Sequence, residues 1–394
     1  MAKYLLLAFS LSLLSACVSN SPRQTAESGL NAQATRPAEQ SLSGFCEVLS
    51  QKLSGDADAF VTAHFDERKF SDNVFLGVQS NTRSFRAIKA RMQETIRHLP
   101  RGLVEDTRGS KWDVIRFSQQ GNSAKCLLRN DFISSRGIQL IEFYLYESGD
   151  GIRIFNWKDQ VKNVLTSDMM RSVALDIQAF DEKVARGQVE KGSKEEKDIK
   201  TLFTYIIALK NQDARNAIDY YKQLPPRYKN NPVYGLRMVI LGGVRGGKIY
   251  QESLQLFYDQ FKNDERFDLL FMDYYFQRKQ YQKALASIES AEKRIGPDTG
   301  FYLLKAVMYQ EMGQTKKFYA MCLKLIEHDV GYENTYWLLF DELVRQRQYE
   351  DAVLVLDVMH KAFSYSFSRN RFERDPDYAQ LIRTNTFNQW IKSL

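Results

Sequence analysis

The residues best suited to chemistry in this 394-residue chain are a glycine-rich segment, four histidines, a few strand carboxylates and four cysteines. Gly242-Gly243-Val244-Arg245-Gly246-Gly247-Lys248 fills the first seven places of a phosphate-cradling loop. In such a loop glycine lets backbone N–H groups approach the phosphates and a lysine adds charge. Ile249 stands where the magnesium-binding hydroxyl belongs, and no strand–helix–strand pattern surrounds the segment. It therefore reads as a turn between two helices, with glycine tolerating positive φ. His64, His98, His328 and His360 have neither metal-ligand spacing nor a neighbouring cysteine, so no metal site is expected. Neither Gly-x-Ser-x-Gly nor His-Glu-x-x-His occurs, and no catalytic set or cofactor is assigned. Glu142, Asp113 and Asp159 are the carboxylates acid–base chemistry would need inside a pocket. Such residues more often stay solvated at a strand surface.

The first cysteine, Cys17, closes Leu14-Ser15-Ala16-Cys17, behind a short positive start and an apolar run from Tyr4 to Leu14. That run is too short to span a bilayer as a mature helix. The segment resembles the processing site of bacterial lipoproteins. The resemblance implies that residues 1–17 are a signal peptide ending at a lipid-bearing Cys17. It also implies a chain anchored to a membrane without crossing it. Several acyl chains anchor stably where one is marginal. Val18 rather than Asp follows, which by the sorting rule of that family implies the outer membrane of a Gram-negative bacterium, facing the periplasm. That compartment is oxidising. Cys46 and Cys126 lie in one region and form the natural pair, although sequence gives no geometry for the bond. Cys322, beside Leu323 and Ile326, reads as a buried small hydrophobe.

These residues need elements to hold them. Residues 18–44 are rich in Ser, Ala, Gln, Thr and Pro, and read as a flexible tether with a reach of roughly 30 Å. Residues 45–186 read as an α+β domain. Helices are expected at 45–53, 57–64 and 82–99, the last stopped by Pro100-Arg101-Gly102. Strands follow at 111–118, 123–130, 137–147 and 151–159, with Ser148-Gly149-Asp150-Gly151 as a hairpin turn. A helix from Asp168 to about Ala185, capped by Ser167, closes the region. Helices followed by a curled antiparallel sheet resemble the NTF2-like roll, a cone with a pocket at its wide end; the likeness rests on element order alone.

Residues 187–200 are charged and read as a linker. The rest, 201–394, reads as paired helices with closing helices at the end. Ala284, Phe318 and Ala352 are spaced by 34 residues, and Tyr281 and Tyr349 match across two periods. A 34-residue helix–turn–helix period resembles the tetratricopeptide repeat, TPR. Five helix pairs are expected, two degenerate and three in register, making a TPR-like helical-hairpin solenoid. In that family the first helices line a groove. Carried over by register, the groove here comprises Leu269, Asp273, Phe276, Leu303, Val307, Gln310, Trp337 and Asp341, an apolar ladder suited to a peptide.

A formal net charge of +7 is spread among acidic residues, without a basic block, so nucleic acid is not an expected partner. The expected function is a membrane-anchored periplasmic lipoprotein that binds envelope proteins through its groove, as scaffold or assembly factor. The alternative makes the N-terminal domain a small-ligand binder or enzyme carried on a helical docking arm, which requires a pocket with a buried carboxylate or histidine.

Overall fold

A computed structural model describes residues 41–394 apart from 56, 80–81, 106–110 and 133–136. Residues 1–40, with the expected signal peptide, Cys17 and most of the expected tether, lie outside the described residues. The chain forms two compact units, one reaching to Tyr274 and one from Tyr275 to Leu394.

The first unit opens with α1 (Leu42–Leu53), α2 (Asp58–His64), α3 (Glu67–Val74) and α4 (Arg83–Glu105). Ser41 caps α1 by accepting from the Gly44 N–H, and Leu42, Phe45, Cys46, Leu49 and Leu53 are buried along one stripe. α1 thus starts at Leu42, inside the stretch 18–44 read as a tether. α3 was not expected; its eight residues are mostly polar and bury only Phe70 and Val74. α4 runs through Pro100 rather than stopping there. Proline removes one helical hydrogen bond, but Leu99, Pro100, Leu103 and Val104 are all buried, and that burial favours continuing the helix.

The sheet is a five-stranded antiparallel meander in sequence order: β1 (Lys111–Gln120), β2 (Ser123–Phe132), β3 (Gly137–Ser148), β4 (Gly151–Asp159) and the short β5 (Val164–Leu165). The β3–β4 hairpin turns at Gly149-Asp150, where Ser148 Oγ donates to the Gly151 carbonyl at 2.8 Å. Ile115 in β1 and Phe155 in β4 are left unpaired by shifts in register, and such bulges add the local twist that curls a sheet. One face carries Trp112, Cys126, Leu128, Ile141, Phe143, Ile154 and Trp157 into a core shared with α1 to α4. Cys46 of α1 and Cys126 of β2 are bonded across it, with Cα atoms 5.9 Å apart. Closing a loop of 80 residues is worth roughly 4 kcal/mol in the chain-entropy picture.

Next come α5 (Thr166–Ala185), α6 (Lys194–Lys210), α7 (Ala214–Gln223), α8 (Pro226–Lys229), α9 (Pro232–Arg245), α10 (Gly247–Phe261) and α11 (Asp268–Gln277). Residues 187–200, read as a linker, lie within the first compact unit. Residues 187–193 form turns, Ser193 caps α6 by accepting from Glu196 N–H, Lys183 pairs with Glu195, and the rest of the charged run is the start of that helix. Phe85 of α4 and Met169, Val173 and Ile177 of α5 share one core with Ile199, Leu202, Tyr205, Ile218, Tyr221 and Tyr234. The α+β part and the first helix pairs are thus one packed body.

The second unit holds α12 (Tyr281–Ile295), α13 (Thr299–Glu311), α14 (Thr315–His328), α15 (Glu333–Arg345), α16 (Tyr349–Phe363), α17 (Arg369–Glu373) and α18 (Asn385–Ser393). Ala284, Phe318 and Ala352, the residues that carry the period, are fully buried. α17, α18 and two short 3₁₀ turns close the unit, where Phe372, Leu381, Phe387 and Trp390 cover Phe340, Trp337 and Leu356. A terminal repeat must hide its last apolar face in this way.

The backbone shows the period more plainly than the side chains do. A left-handed residue ends the first helix of each pair: Gln212 (φ 55°), Gly246 (φ 65°), Lys279 (φ 57°), Gly313 (φ 66°) and Arg347 (φ 62°). Their spacings are 34, 33, 34 and 34 residues. In four of them the next N–H reaches back five residues to close the same cap. These bonds are Asp213 to Ala208, Gln280 to Tyr275, Gln314 to Tyr309 and Gln348 to Leu343, at 2.8–2.9 Å.

Candidate functional site

Each strand carboxylate that could have done chemistry is engaged elsewhere. Asp113 pairs with the buried Arg129 at 3.0 Å and with Lys111 at 3.4 Å. Glu142 accepts from the Tyr144 hydroxyl at 2.8 Å, with Arg116 3.8 Å away. Asp159 and Lys162 form a buried pair at 2.7 Å. That pair borders a cavity of about 30 Å³, lined also by Ile138, Leu236, Ile240 and Tyr250. The space suits one water, not a substrate. Among the histidines, His64 bonds the Phe60 carbonyl, His98 meets Glu94, His328 meets Thr299 and His360 bonds the Tyr365 carbonyl. Among the described residues no group of three or more His, Cys, Asp or Glu could hold a metal ion. Cys322 is buried, and burial pushes its thiol up to about 12, so it stays protonated.

The glycine-rich segment is the end of α9 and the start of α10. A Cβ on Gly242 would lie 2.3 Å from Ser253 Oγ, and one on Gly235 would lie 2.7 Å from Phe257 Cδ2. These glycines let two helices approach closely, and Gly246 and Gly247 make the turn at positive φ. The phosphate-loop likeness has a packing cause.

The groove carried over by register does not line an open face. Leu269, Asp273, Phe276, Leu303, Val307, Trp337 and Asp341 are all buried, and Gln310 is half-buried. The two aspartates satisfy tyrosines: Tyr250 donates to Asp273, and Tyr378 donates to Asp341 at 2.8 Å. Trp337 packs against Phe340, Tyr365 and Phe367, with the Arg371 guanidinium 4.7 Å from its ring. The physical reason lies in composition. α13 is apolar almost all round, and a helix of that kind is covered on every side. Gln310 instead donates to Glu342 at 2.9 Å.

A different pair of residues repeats at the surface. Lys283 Nζ lies 5.6 Å from the ring of Tyr275, and Lys317 Nζ lies 5.4 Å from the ring of Tyr309. Both tyrosines and both lysines are 34 residues apart. The tyrosines end their first helices half-buried, and the lysines start the following helices exposed. Neither lysine has a carboxylate partner among the described residues. The next repeat has Leu343 and Asp351 at these places, so the ladder has two rungs. Register alone marks it, since both residue types repeat at the same spacing in the sequence.

No protein-family model matches the chain, and neither a curated protein nor a solved structure is significantly similar to it.

Proposed function

We propose that this chain is a lipid-anchored protein of the bacterial outer membrane, facing the periplasm, that binds another envelope protein through TPR-like repeats and acts as scaffold or assembly factor. The observation that carries the binding role is the two-rung Tyr–Lys ladder. The same aromatic–cation chemistry recurs at one-repeat spacing on otherwise closed helices, which suits a linear segment lying across successive repeats. Half-buried tyrosine is a rigid anchor at interfaces, and an unpaired ammonium favours an acidic or carbonyl-rich partner. The Leu14-Ser15-Ala16-Cys17 motif supports the anchor. The bonded Cys46–Cys126 pair supports an oxidising compartment.

The curled sheet and its helices are compatible with an NTF2-like roll. A ligand-binding or enzymatic role gains no support, because the cavity beside Asp159 takes about one water and the candidate carboxylates are paired. The test is recovery of tagged mature protein from crosslinked envelopes. A partner retained by the parent and by a Leu354→Ala control, but reduced at least tenfold by Tyr309→Ala with Lys317→Ala, is the expected result. Equal recovery from both variants would sink the assignment.

A further inference from the structure

The outer face of the sheet in the first unit carries a second aromatic and cationic platform. Tyr144 and Tyr146 of β3 and the bulged Phe155 of β4 form a half-exposed row, with Phe155 edge-on to both tyrosines at 6.1 and 5.7 Å. Lys69 of α3 lies 3.4 Å from the Tyr146 ring centre and 4.7 Å from that of Phe155. Lys125 of β2, the cross-strand neighbour of Tyr144, lies 5.3 Å from its ring centre. Neither lysine has a carboxylate partner among the described residues. Arg116 and Arg153 flank the row, Asp168 lies near Tyr144, and two carboxylates, Glu142 and Asp66, sit within the row itself. Each carboxylate accepts a hydrogen bond from one tyrosine hydroxyl. That bond to Asp66 pushes the Tyr146 hydroxyl up to about 12, and burial followed by the bond to Glu142 raises that of Tyr144. Both phenols therefore remain donors, and the carboxylates are held by them.

We infer that this sheet face binds an extended acidic peptide with carboxylates on alternate residues. The two tyrosines are two residues apart on one strand, about 7 Å, which is also the separation of alternate side chains on an extended ligand. One carboxylate of such a ligand meets the ammonium over Tyr144 and the next meets the ammonium over Tyr146. The intervening side chains point away from the sheet into solvent. Because both ring faces already hold a cation, stacking a sugar or a nucleobase there would displace it, which disfavours those ligands. The site is independent of the repeat ladder and stands or falls separately.

The probe is a labelled peptide of five Glu-Ser pairs, titrated by fluorescence polarisation into the whole folded chain. Binding is expected to weaken at least tenfold in Lys69→Ala with Lys125→Ala, to fall as salt rises from about 50 to 300 mM, and to be unchanged in Lys262→Ala, an exposed lysine outside both sites. The melting temperature of the double variant serves as the fold control. To separate loss of charge from loss of fold, Lys69→Arg with Lys125→Arg should restore most of the affinity. Undiminished peptide binding by the alanine variant would overturn the inference. So would loss in that variant of binding to phosphatidylglycerol vesicles with no peptide binding by the parent, which would point to a membrane surface.

Discussion

At the scale of single residues, Gly242 and Gly235 are fixed by space. A methyl group at either position must displace Ser253 or Phe257 between packed helices. Gly242→Ala and Gly235→Ala are each expected to lower stability by about 1–3 kcal/mol in denaturant unfolding; a phosphate-binding loop would instead show a loss of nucleotide affinity with little loss of fold. Glu342 is the other residue with a strong structural role. Its side chain is fully buried, and its oxygens accept from Arg345, Gln310 and Gln346. Burial alone would raise its pKa, but these hydrogen bonds outweigh it and hold the carboxyl below the ordinary 4.5. A depressed folded-state pKa means that the stabilisation is fully present above 4.5 and is lost as pH falls through the lower folded value. Glu342→Gln should therefore cost about 1–3 kcal/mol at pH 7 and flatten the decline in stability below pH 4.5, read from melts across pH.

At the scale of elements, the left-handed caps decide what the turns tolerate. Lys279 and Arg347 occupy a conformation that costs a side-chain-bearing residue about 1 kcal/mol, whereas Gly313 does not. Lys279→Gly is expected to gain up to about 1 kcal/mol and Gly313→Ala to lose a similar amount, measured by thermal melting. The reverse signs would mean that these turns are not held in that cap. The strands were legible in sequence because alternation and a Ser-Gly-Asp-Gly turn leave few other readings, and the helix pairs because position 34 recurs. The short α3 was not, since only Phe70 and Val74 mark it. Nor was the passage of α4 through Pro100, where burial of its neighbours outweighs a local rule. The register placed Leu303 and Trp337 correctly on their helices, but periodicity gives one face and not how many faces are covered.

At the scale of the molecule, the charged run 187–200 reads as a linker, yet from Lys194 it is the capped start of a helix whose Ile199 enters a shared core. Composition reports solvation, and a solvated first turn and a linker look alike. Truncation at residue 190 is thus expected to expose Met169, Val173 and Ile177 and give insoluble protein, whereas a true linker there would release a soluble α+β domain. The role proposed for the chain is contact with a partner through the two-rung ladder. It is tested most directly by placing a photo-crosslinking amino acid at Lys317 in living cells and, separately, at the exposed Leu354. A discrete crosslinked species from position 317, absent from position 354 and abolished by Tyr309→Ala, is the predicted result. No adduct at 317, or the same adduct from both positions, would contradict it.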